Sequence, residues 1–471
     1  MKTAQERRKG RDMDKISIKE IIDAVHGELI AGPSEGFISG VSADSRELQK
    51  GDLFIPIIGE RTDGHKYIPQ VAENGAAAVF TMKKEAAEGV SGPAVILVDD
   101  SVQASQELAA YYLDKIHVKR IGITGSVGKT STRDMTAAIC SERFKTGRAQ
   151  KNLNSTIGTP LAIFGLDSSM DLAVLEEGMV ARGEIHDISR IVRPDTAVIT
   201  NIGIQHIEFL KTRENIRRAK MEITDFFGPE NTLVINEDCD MLDRTGIHGD
   251  YKVITVGKTD RQDFYVDQIE EKGGEGISFC LHHGEDSVMI HLAVNGTHNA
   301  INAALACAAA STFGCTLEDA KKGLEKIQDL TGKRLKFEKN GRFTVIDDTY
   351  NAAPVSMKSA IDTLMNTEAE RHVAVLGEMY ELGDESVRGH RDVGVHAAEK
   401  KIDLLLTVGD LAKNIAEAAE EKGMKNVKWF PDKEKLEDAL PELLKDGDAI
   451  LVKASNSMHL SEAADKILEM K

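Results

Sequence analysis

The chain has 471 residues, of which 41% are hydrophobic, and this is enough for about three domains with cores of their own. It carries 59 Lys and Arg against 77 Asp and Glu. The resulting net charge of −18 argues against a general nucleic-acid-binding protein, because such a protein needs a basic surface.

The sequence also disfavours a secreted or membrane-inserted protein. Five scattered cysteines form no C-x-x-C pair, which is typical of a reducing compartment, so we expect a cytoplasmic location. No apolar stretch reaches the roughly 18 residues that a membrane-spanning helix needs. The charged start, MKTAQERRKGRDMDK, lacks the apolar core of a signal peptide, and we expect residues 1–14 to form a disordered or helical tail.

Short apolar runs then alternate with helical patterns, which predicts an α/β fold. The runs show no clear polar–apolar alternation, as is typical of parallel sheets covered by helices on both faces. Breaks in the pattern predict domains at 15–102, 103–331 and 332–471, and a stretch at about 250–292 predicts an antiparallel excursion. The predicted strands are 94–98, 120–124, 172–176, 196–200, 232–236, 343–347, 372–377, 403–409 and 449–453.

The segment GITGSVGKTS (122–131) has the features of a phosphate-binding loop. A buried strand precedes it and a helix follows, and free N–H groups at a helix start attract phosphate. Lys129 can reach the β- and γ-phosphates of a nucleotide, and the Thr130 hydroxyl can bind Mg²⁺. A glycine turn with a surface lysine is the alternative, because the usual spacing needs glycine where the chain has Ile123. The predicted nucleotide-binding residues are Gly125, Ser126, Val127, Gly128, Lys129, Thr130 and Ser131.

This one-residue departure is itself informative. The string Thr-Gly-Ser-x-Gly-Lys-Thr resembles the ATP loop of the Mur ligases and of the folylpolyglutamate synthetases. The chain resembles the Mur ligase family over nearly its whole length. The resemblance implies an amino-terminal α/β domain for a UDP-linked substrate, a central ATPase-type parallel sheet and a carboxy-terminal Rossmann-like domain. It also implies ATP-dependent amide-bond formation through an acyl phosphate.

Three residues of the middle segment are candidates for a metal centre. Glu176 ends an apolar run, His206 follows the next run, and Lys220 lies in the helical pattern ENIRRAKMEI. From the residues alone, Glu176 can equally be a solvated strand end, His206 a core histidine and Lys220 a surface lysine. The resemblance implies that Glu176 and His206 hold a pair of Mg²⁺ ions. It further implies that Lys220 is carbamylated and helps to organise them.

Two further segments resemble nucleotide contacts of the family. GTHNAINAALA (296–306) is similar to its adenine-binding segment, which implies that His298, Asn299 and Asn302 contact the base. An alanine-rich helix with an asparagine cap is the alternative. TGKRLKFE (331–338) resembles a Gly-Arg turn at the entry to the last domain, where the resemblance implies that Arg334 reaches the γ-phosphate when that domain closes.

The substrate residues follow from the same resemblance. Ser45, Arg46, Asp63, Gly64 and His65 resemble the family's UDP-sugar-binding domain, which folylpolyglutamate synthetases lack. KNLNSTIGTP (151–160) supplies two more candidates, and VIDDTYNAAPVSM (345–357) resembles the signature of the members that add D-alanyl-D-alanine to UDP-N-acetylmuramoyl-tripeptide. The peptide contacts implied there are Asn152, Asn154, Tyr350, Asn351 and Pro354. The resemblance also implies that Asp347 and Asp348 lie at a strand end facing the ATP, with Asp348 as a nucleotide contact. The family also suggests a monomer.

The chain departs from that pattern at Ser155, Ala454 and Asn456, where asparagine, glycine and arginine are usual. Each position lies near the expected peptide sites, so a ligase with different peptide substrates is an alternative. A nucleotide-dependent switch and a non-catalytic UDP-sugar binder are two others. A switch predicts a strand ending in Asp, where the chain offers Glu176. A pure binder has no need of Lys129 or Lys220.

Overall fold

The computed structural model describes residues 13–59, 62–148, 153–271, 274–328 and 335–470. Within these ranges the strands form a five-stranded, a nine-stranded and a six-stranded sheet, and a two-stranded ribbon. Every apolar run that the sequence predicts as a strand is a strand here. No helix of the described ranges has the length and apolar character that crossing a bilayer requires.

The amino-terminal region forms the five-stranded sheet, in the order β2-β7-β6-β5-β4. Its strands run parallel except for β2, which pairs antiparallel at the edge. Its elements are β1 (Ile16–Ser17), α1 (Ile18–Ala24), β2 (Glu28–Ala31), β3 (Phe37–Ile38), β4 (Gly40–Ser42), β5 (Asp52–Phe54), α2 (Ile68–Glu73), β6 (Ala78–Thr81), β7 (Ala94–Leu97) and α3 (Ser101–Ile116).

The middle region forms the nine-stranded sheet, in the order β16-β15-β14-β13-β12-β11-β8-β10-β9. Strand β8 lies between β10 and β11, so the polar residues that end these three strands meet at one edge. Its elements are β8 (Lys119–Thr124), α4 (Lys129–Cys140), β9 (Thr146–Arg148), α5 (Gly158–Ile163), β10 (Leu172–Glu176), α6 (Glu184–Val192), β11 (Thr196–Ile199), α7 (Ile207–Leu210), α8 (Arg213–Met221), β12 (Thr232–Asn236), β13 (Lys252–Gly257), β14 (Phe264–Glu271), β15 (Ile277–His283), β16 (Asp286–Leu292), α9 (His298–Ser311) and α10 (Leu317–Glu325).

The antiparallel excursion begins later than the sequence suggests. Strand β13, inside the stretch 250–292, pairs parallel with β12, and only β14–β15 and β15–β16 are antiparallel. Strand β13 also pairs parallel with β14, and the two-residue turn between β15 and β16 is the kind of connection that antiparallel strands allow. The alanine-rich α9 packs in the core against α4 and the sheet, where its small side chains allow close approach.

The carboxy-terminal region forms the six-stranded sheet, in the order β17-β18-β22-β19-β20-β21. It is parallel apart from the edge strand β17. Its elements are β17 (Lys336–Lys339), β18 (Thr344–Asp347), α11 (Pro354–Met365), β19 (Arg371–Leu376), α12 (Ser386–Glu399), β20 (Leu404–Val408), α13 (Lys413–Glu421), β21 (Val427–Phe430), α14 (Lys433–Leu443), β22 (Asp448–Lys453) and α15 (Ser461–Glu469).

Candidate active site

A cavity of about 490 Å³ lies between the middle and carboxy-terminal regions. One side is formed by the loop 126–131, by the end of β10 and by the start of α9. The other side is formed by residues that follow β18 and by Lys453 at the end of β22. Because the cavity lies outside the carboxyl ends of parallel strands in two sheets, it has the usual position of a ligand site in α/β proteins.

The turn between β8 and α4 requires glycine at two positions. Gly125 has φ 147°, and a Cβ atom there would lie 1.8 Å from Oγ1 of Thr200. Gly128 caps α4 with φ 85°, and its Cβ would lie 2.7 Å from Oδ1 of Asn302. The backbone of this loop therefore passes too close to its neighbours for any side chain. This explains why the chain carries glycine at positions 125 and 128.

The loop is held to the end of β11 by hydrogen bonds that sequence reasoning missed. The Val127 amide donates to Oδ1 of Asn201 (3.1 Å), and the Thr200 hydroxyl and the Asn201 side-chain amide donate to the Val127 carbonyl (2.6 and 3.0 Å). The signal was available, because both polar residues directly follow the apolar run TAVI. These bonds hold the loop in one shape and so pre-organise it.

The two loop side chains with predicted roles face different partners. The Lys129 ammonium donates to the carbonyls of Gly125 (2.8 Å) and Ser126 (3.3 Å), so it is folded back along the loop. The Thr130 hydroxyl donates to Oε2 of Glu176 at 2.8 Å. The structure thus joins the predicted phosphate loop to the predicted metal ligand at the end of β10.

Glu176 is the carboxylate at the centre of the site. It is buried, and Oε1 accepts a hydrogen bond from the Asn154 side-chain amide at 2.7 Å. Its neighbour Glu177 points away into the core, where Ser189 donates to it, and burial raises the pKa of Glu177 to about 8. Glu177 is therefore mainly uncharged at neutral pH. The structure thus selects Glu176 as the carboxylate that can bind a cation.

The other two metal-site candidates lie on the segment after β11. His206 has φ 63° and lines the cavity, and its Nδ1 lies 2.7 Å from Oε2 of Glu381 at an angle outside that of a hydrogen bond. This close contact with the His206 ring holds the pKa of Glu381 below its usual value. Glu381 belongs to the carboxy-terminal region and was not predicted from the sequence.

Lys220 lies in the wall behind the cavity and is only 1% exposed. Burial, with a smaller contribution from the charge of Lys129, lowers the pKa of Lys220 well below its ordinary value. Among the described residues, its ammonium has no hydrogen-bond or ion-pair partner. A surface lysine, the alternative from the sequence, is therefore excluded.

The predicted adenine residues form the start of α9. The Asn302 side-chain amide donates to Oδ1 of Asn299 at 3.0 Å, and that of Asn299 donates to the Asn295 carbonyl at 2.7 Å. Nδ1 of His298 lies 2.9 Å from the hydroxyl of Ser359 in α11. All three predicted residues line the cavity. The structure therefore brings them together with the phosphate loop, and His298 also contacts the carboxy-terminal region.

The carboxy-terminal side contains a buried ion pair. Lys453, which sequence reasoning did not select, is 2% exposed and donates to Oδ2 of Asp348 (2.6 Å) and to the Asn351 carbonyl (2.8 Å). Lys453 is a charged residue at the end of an apolar run, which is the same sequence pattern that pointed to Glu176. Asp347 instead accepts bonds from the amide and hydroxyl of Thr349, which shape the turn.

The remaining peptide-site candidates divide into two groups. Tyr350 and Asn351 line the cavity, whereas Pro354 is buried at the first position of α11 and fixes the start of that helix. Asn152 and Arg334 lie outside the described residues.

The amino-terminal candidates do not line the cavity. Arg46 is exposed and makes a bidentate ion pair with Asp44. Asp63 accepts from the amide of His65 at 2.9 Å and from its Nδ1 at 2.6 Å, and the Met82 amide donates to the other ring nitrogen. Asp63, Gly64 and His65 therefore shape a turn, and buried Ser45 lies on the loop beside Arg46.

Models of protein families match three consecutive parts of the chain. The matches are the catalytic domain of the Mur ligase family at 37–121, the Mur ligase middle domain at 123–310, and the Mur ligase glutamate ligase domain at 333–456. A relative from Bacillus subtilis is 37% identical over 97% of this chain and 99% of its own length. The chain belongs to the Mur ligase family. The Bacillus relative is named UDP-N-acetylmuramoyl-tripeptide--D-alanyl-D-alanine ligase, as is an Escherichia coli relative that is 32% identical over 97% of this Mur ligase and 99% of its own chain.

Solved structures support the same relationship. A structure described as MurF from Acinetobacter baumannii has a TM-score of 0.87 and 30% identity, covering 97% of this Mur ligase and all of that chain. A structure of a MurF ligase from Thermotoga maritima in complex with ADP has a TM-score of 0.80 and 26% identity, and the match covers 91% of this chain and 97% of that chain. The predicted α/β fold and the family resemblance are thus confirmed.

Two arginines, one buried and one exposed, contact the same carboxylate of Asp134. Arg133 is 1% exposed, lies 2.8 Å from Oδ1 of Asp134 and 3.6 Å from Oε2 of Glu176, whereas the Arg148 side chain is 53% exposed and lies 3.2 Å from the same Asp134 oxygen. Arg133→Met removes the buried cation that lies between Asp134 and Glu176, so we expect it to lower the free energy of unfolding by about 3–5 kcal/mol. The matched control, Arg148→Met, should cost less than about 1 kcal/mol. Urea denaturation measures both, and equal losses would contradict this account of the buried pair.

Proposed function

We propose that this Mur ligase joins D-alanyl-D-alanine to UDP-N-acetylmuramoyl-tripeptide in peptidoglycan precursor synthesis, with conversion of ATP to ADP and phosphate. The observation that carries the proposal is the contact between Thr130 of the phosphate loop and buried Glu176, in a cavity whose opposite side presents Asp348 and Lys453. One cavity thus offers groups for a nucleotide and for a peptide carboxylate. Relatives that align over almost the whole chain carry the name of this reaction.

The donor set fits Mg²⁺. A hydroxyl oxygen and a carboxylate oxygen lie 2.8 Å apart at Thr130 and Glu176, the kind of ligands that Mg²⁺ prefers beside phosphates. His206 lines the same cavity. We propose that these residues hold a pair of Mg²⁺ ions. When bound, the ions neutralise phosphate charge and so allow an anionic carboxylate to approach the γ-phosphate.

Lys220 is proposed to act as a carbamate. An amine reacts with CO₂ only in its neutral form, giving R–NH–COO⁻ and a proton. Burial lowers the pKa of Lys220 well below its ordinary value, which supplies that neutral amine. The carbamate carries a negative charge, so it would attract the Lys129 ammonium and add oxygen donors for the metal site.

The other residues take roles set by their positions. Lys129 can release the loop carbonyls and bind the β- and γ-phosphates, and the Lys453–Asp348 pair positions the peptide side of the cavity. The acceptor carboxylate attacks the γ-phosphorus, ADP leaves, and the dipeptide amine then displaces phosphate from the acyl phosphate. We propose that Arg334 reaches the γ-phosphate when the last domain closes.

Binding of the larger substrate groups is proposed as follows. The adenine contacts are His298, Asn299 and Asn302, and the peptide contacts are Asn152, Asn154, Tyr350, Asn351 and Pro354. The UDP-linked substrate contacts are Ser45, Arg46, Asp63, Gly64 and His65. We further propose domains at 15–102, 103–331 and 332–471, and a monomer that acts in the cytoplasm. The five free cysteines are consistent with that compartment.

A ligase with different peptide substrates is the second candidate, because Ser155 lines the cavity where asparagine is usual. The Ser155 hydroxyl accepts a hydrogen bond from the amide of Gly158 at 3.0 Å, so it also holds the start of α5. Ala454, by contrast, is buried, and a Cβ atom on Gly377 would lie 2.6 Å from its methyl group. Alanine in place of the usual glycine at position 454 therefore affects packing and does not contact a substrate directly.

Mass spectrometry of the products decides between the candidates. The purified protein is supplied with ATP, Mg²⁺, and a panel of UDP-muramoyl peptides and D-dipeptides. We expect the UDP-muramoyl pentapeptide, with phosphate release that depends on both peptide substrates. Phosphate release without them would indicate a switch, no release would indicate a binder, and a product only with other peptides would indicate the second candidate.

Lys129→Ala tests the phosphate loop. We expect kcat to fall at least about 100-fold, because the charge that faces the transferred phosphoryl group is lost. Binding of the UDP-linked substrate, measured by calorimetry, should remain, since its proposed contacts lie in another domain. The control is Lys119→Ala, which removes an exposed lysine paired with Asp195. Loss of UDP-substrate binding in Lys129→Ala would refute the domain assignment.

Lys220→Ala tests the carbamate. We expect an inactive enzyme that short carboxylic acids partly rescue, because their carboxylate can occupy the position of the carbamate. Phosphate release with and without added acid is the measurement. Arg218→Ala, on the exposed face of the same helix, should retain activity and show no response to the acids. Full activity of Lys220→Ala would eliminate the carbamate.

A further inference from the structure

The antiparallel edge of the central sheet brings together three different metal-binding side chains. The carboxylate of Asp267, the thiol of Cys280 and the imidazole of His282 have ligand atoms that all lie within 4.8 Å of one another. They lie on β14 and β15, which contribute no residue to the cavity described above. The mechanism proposed for this ligase uses none of them.

The strand register puts all three on one face. Asp267 is directly opposite Cys280, and His282 follows Cys280 by two residues, so their side chains project from the same side of the sheet. The alternate residues Val266, Phe279 and Leu281 pack into the hydrophobic core. The ligand face is therefore the one directed away from the core.

Packing holds two of the three groups in place. Nε2 of His282 lies 2.9 Å from Oδ1 of Asp267, and the His282 ring stacks on Tyr265 with centroids 4.3 Å apart. Cys280 is buried beneath them as a free thiol. Tetrahedral Zn²⁺ has bonds of about 2.3 Å to sulfur and about 2.0–2.1 Å to nitrogen and oxygen, which places neighbouring ligand atoms roughly 3.5 Å apart. Small side-chain rotations therefore suffice to form such a site.

A β-bulge in β14 lies directly after Asp267. The pairing of β14 with β15 shifts between Asp267 and Glu270, and Gln268 has φ 49°. A β-bulge bends its strand and redirects the adjacent side chains. Asp267 is the last regularly paired residue before this bulge.

We propose that Asp267, Cys280 and His282 form a binding site for a thiophilic divalent cation of the Zn²⁺ class. Thiolate and imidazole ligands favour Zn²⁺ over Mg²⁺, which prefers oxygen ligands such as those at Glu176. Met289 is directly opposite Cys280 on β16 and is 46% exposed, so a thioether or a water molecule can complete the coordination. A bound ion cross-links β14 to β15 at the bulge.

Cobalt titration of the full chain tests the proposal. The protein is prepared without an affinity tag, reduced, freed of metal, and kept in excess Mg²⁺ to occupy the oxygen site. We expect Co²⁺ to produce a thiolate-to-cobalt charge-transfer band that saturates at one equivalent and is abolished by Zn²⁺. Absence of the band, or of its displacement by Zn²⁺, would overturn the proposal.

Variants assign the band to these residues. Cys280→Ser should abolish it, and Asp267→Asn and His282→Gln should each weaken Co²⁺ binding by about tenfold or more. The matched control is Cys239→Ser, which removes a free thiol that is more accessible than Cys280 and should leave the band unchanged. Asp267→Asn and His282→Gln change partly exposed side chains, so they test the site even if Cys280→Ser does not fold. A band unaffected by these two substitutions, or lost in Cys239→Ser, would overturn the assignment.

Discussion

The structure depends on the convergence of three parallel strand ends at one edge of the central sheet. Strand β8 continues into the glycine turn, β10 ends in Glu176, and β11 ends in the polar residues that hold the turn. At Gly125 the turn passes so close to β11 that even a methyl group would clash. This edge positions Lys129, Thr130 and Glu176, whereas Asp348 and Lys453 are positioned by the carboxy-terminal sheet.

Several ionisable side chains are buried around the site. Arg133 and Glu176 lie below the loop, Lys220 lies behind it, and Lys453 is paired with Asp348 across the cavity. Burying charges is costly unless they are paired or neutralised. Lys220 is the exception within the described residues, and its lowered pKa marks it as the group whose chemistry must differ from that of an ordinary lysine.

Polar contacts join the described parts of the middle and carboxy-terminal regions, and Ile204 also packs against the carboxy-terminal core. His206 approaches Glu381, His298 contacts Ser359, and Glu271 accepts hydrogen bonds from both Gly296 and Thr363. Two of these residues, His206 and His298, are proposed to bind the metal and the nucleotide. Under this proposal, ligand binding is coupled to the interface between the two regions, because the same side chains serve both.

The sequence by itself determined the α/β class, the nine strands predicted from apolar runs, the glycine turn before α4 and the strand-end position of Glu176, because these follow from local hydrophobic patterns and turn residues. It did not reveal Glu381, the Lys453–Asp348 pair or the parallel pairing of β13, because each depends on which distant strands become neighbours. The metal-ligand face at Asp267, Cys280 and His282 has the same origin, since cross-strand register alone brings those residues together. The local sequence pattern determines the helices and strands. Tertiary packing decides which side chains contact each other and which are buried from solvent.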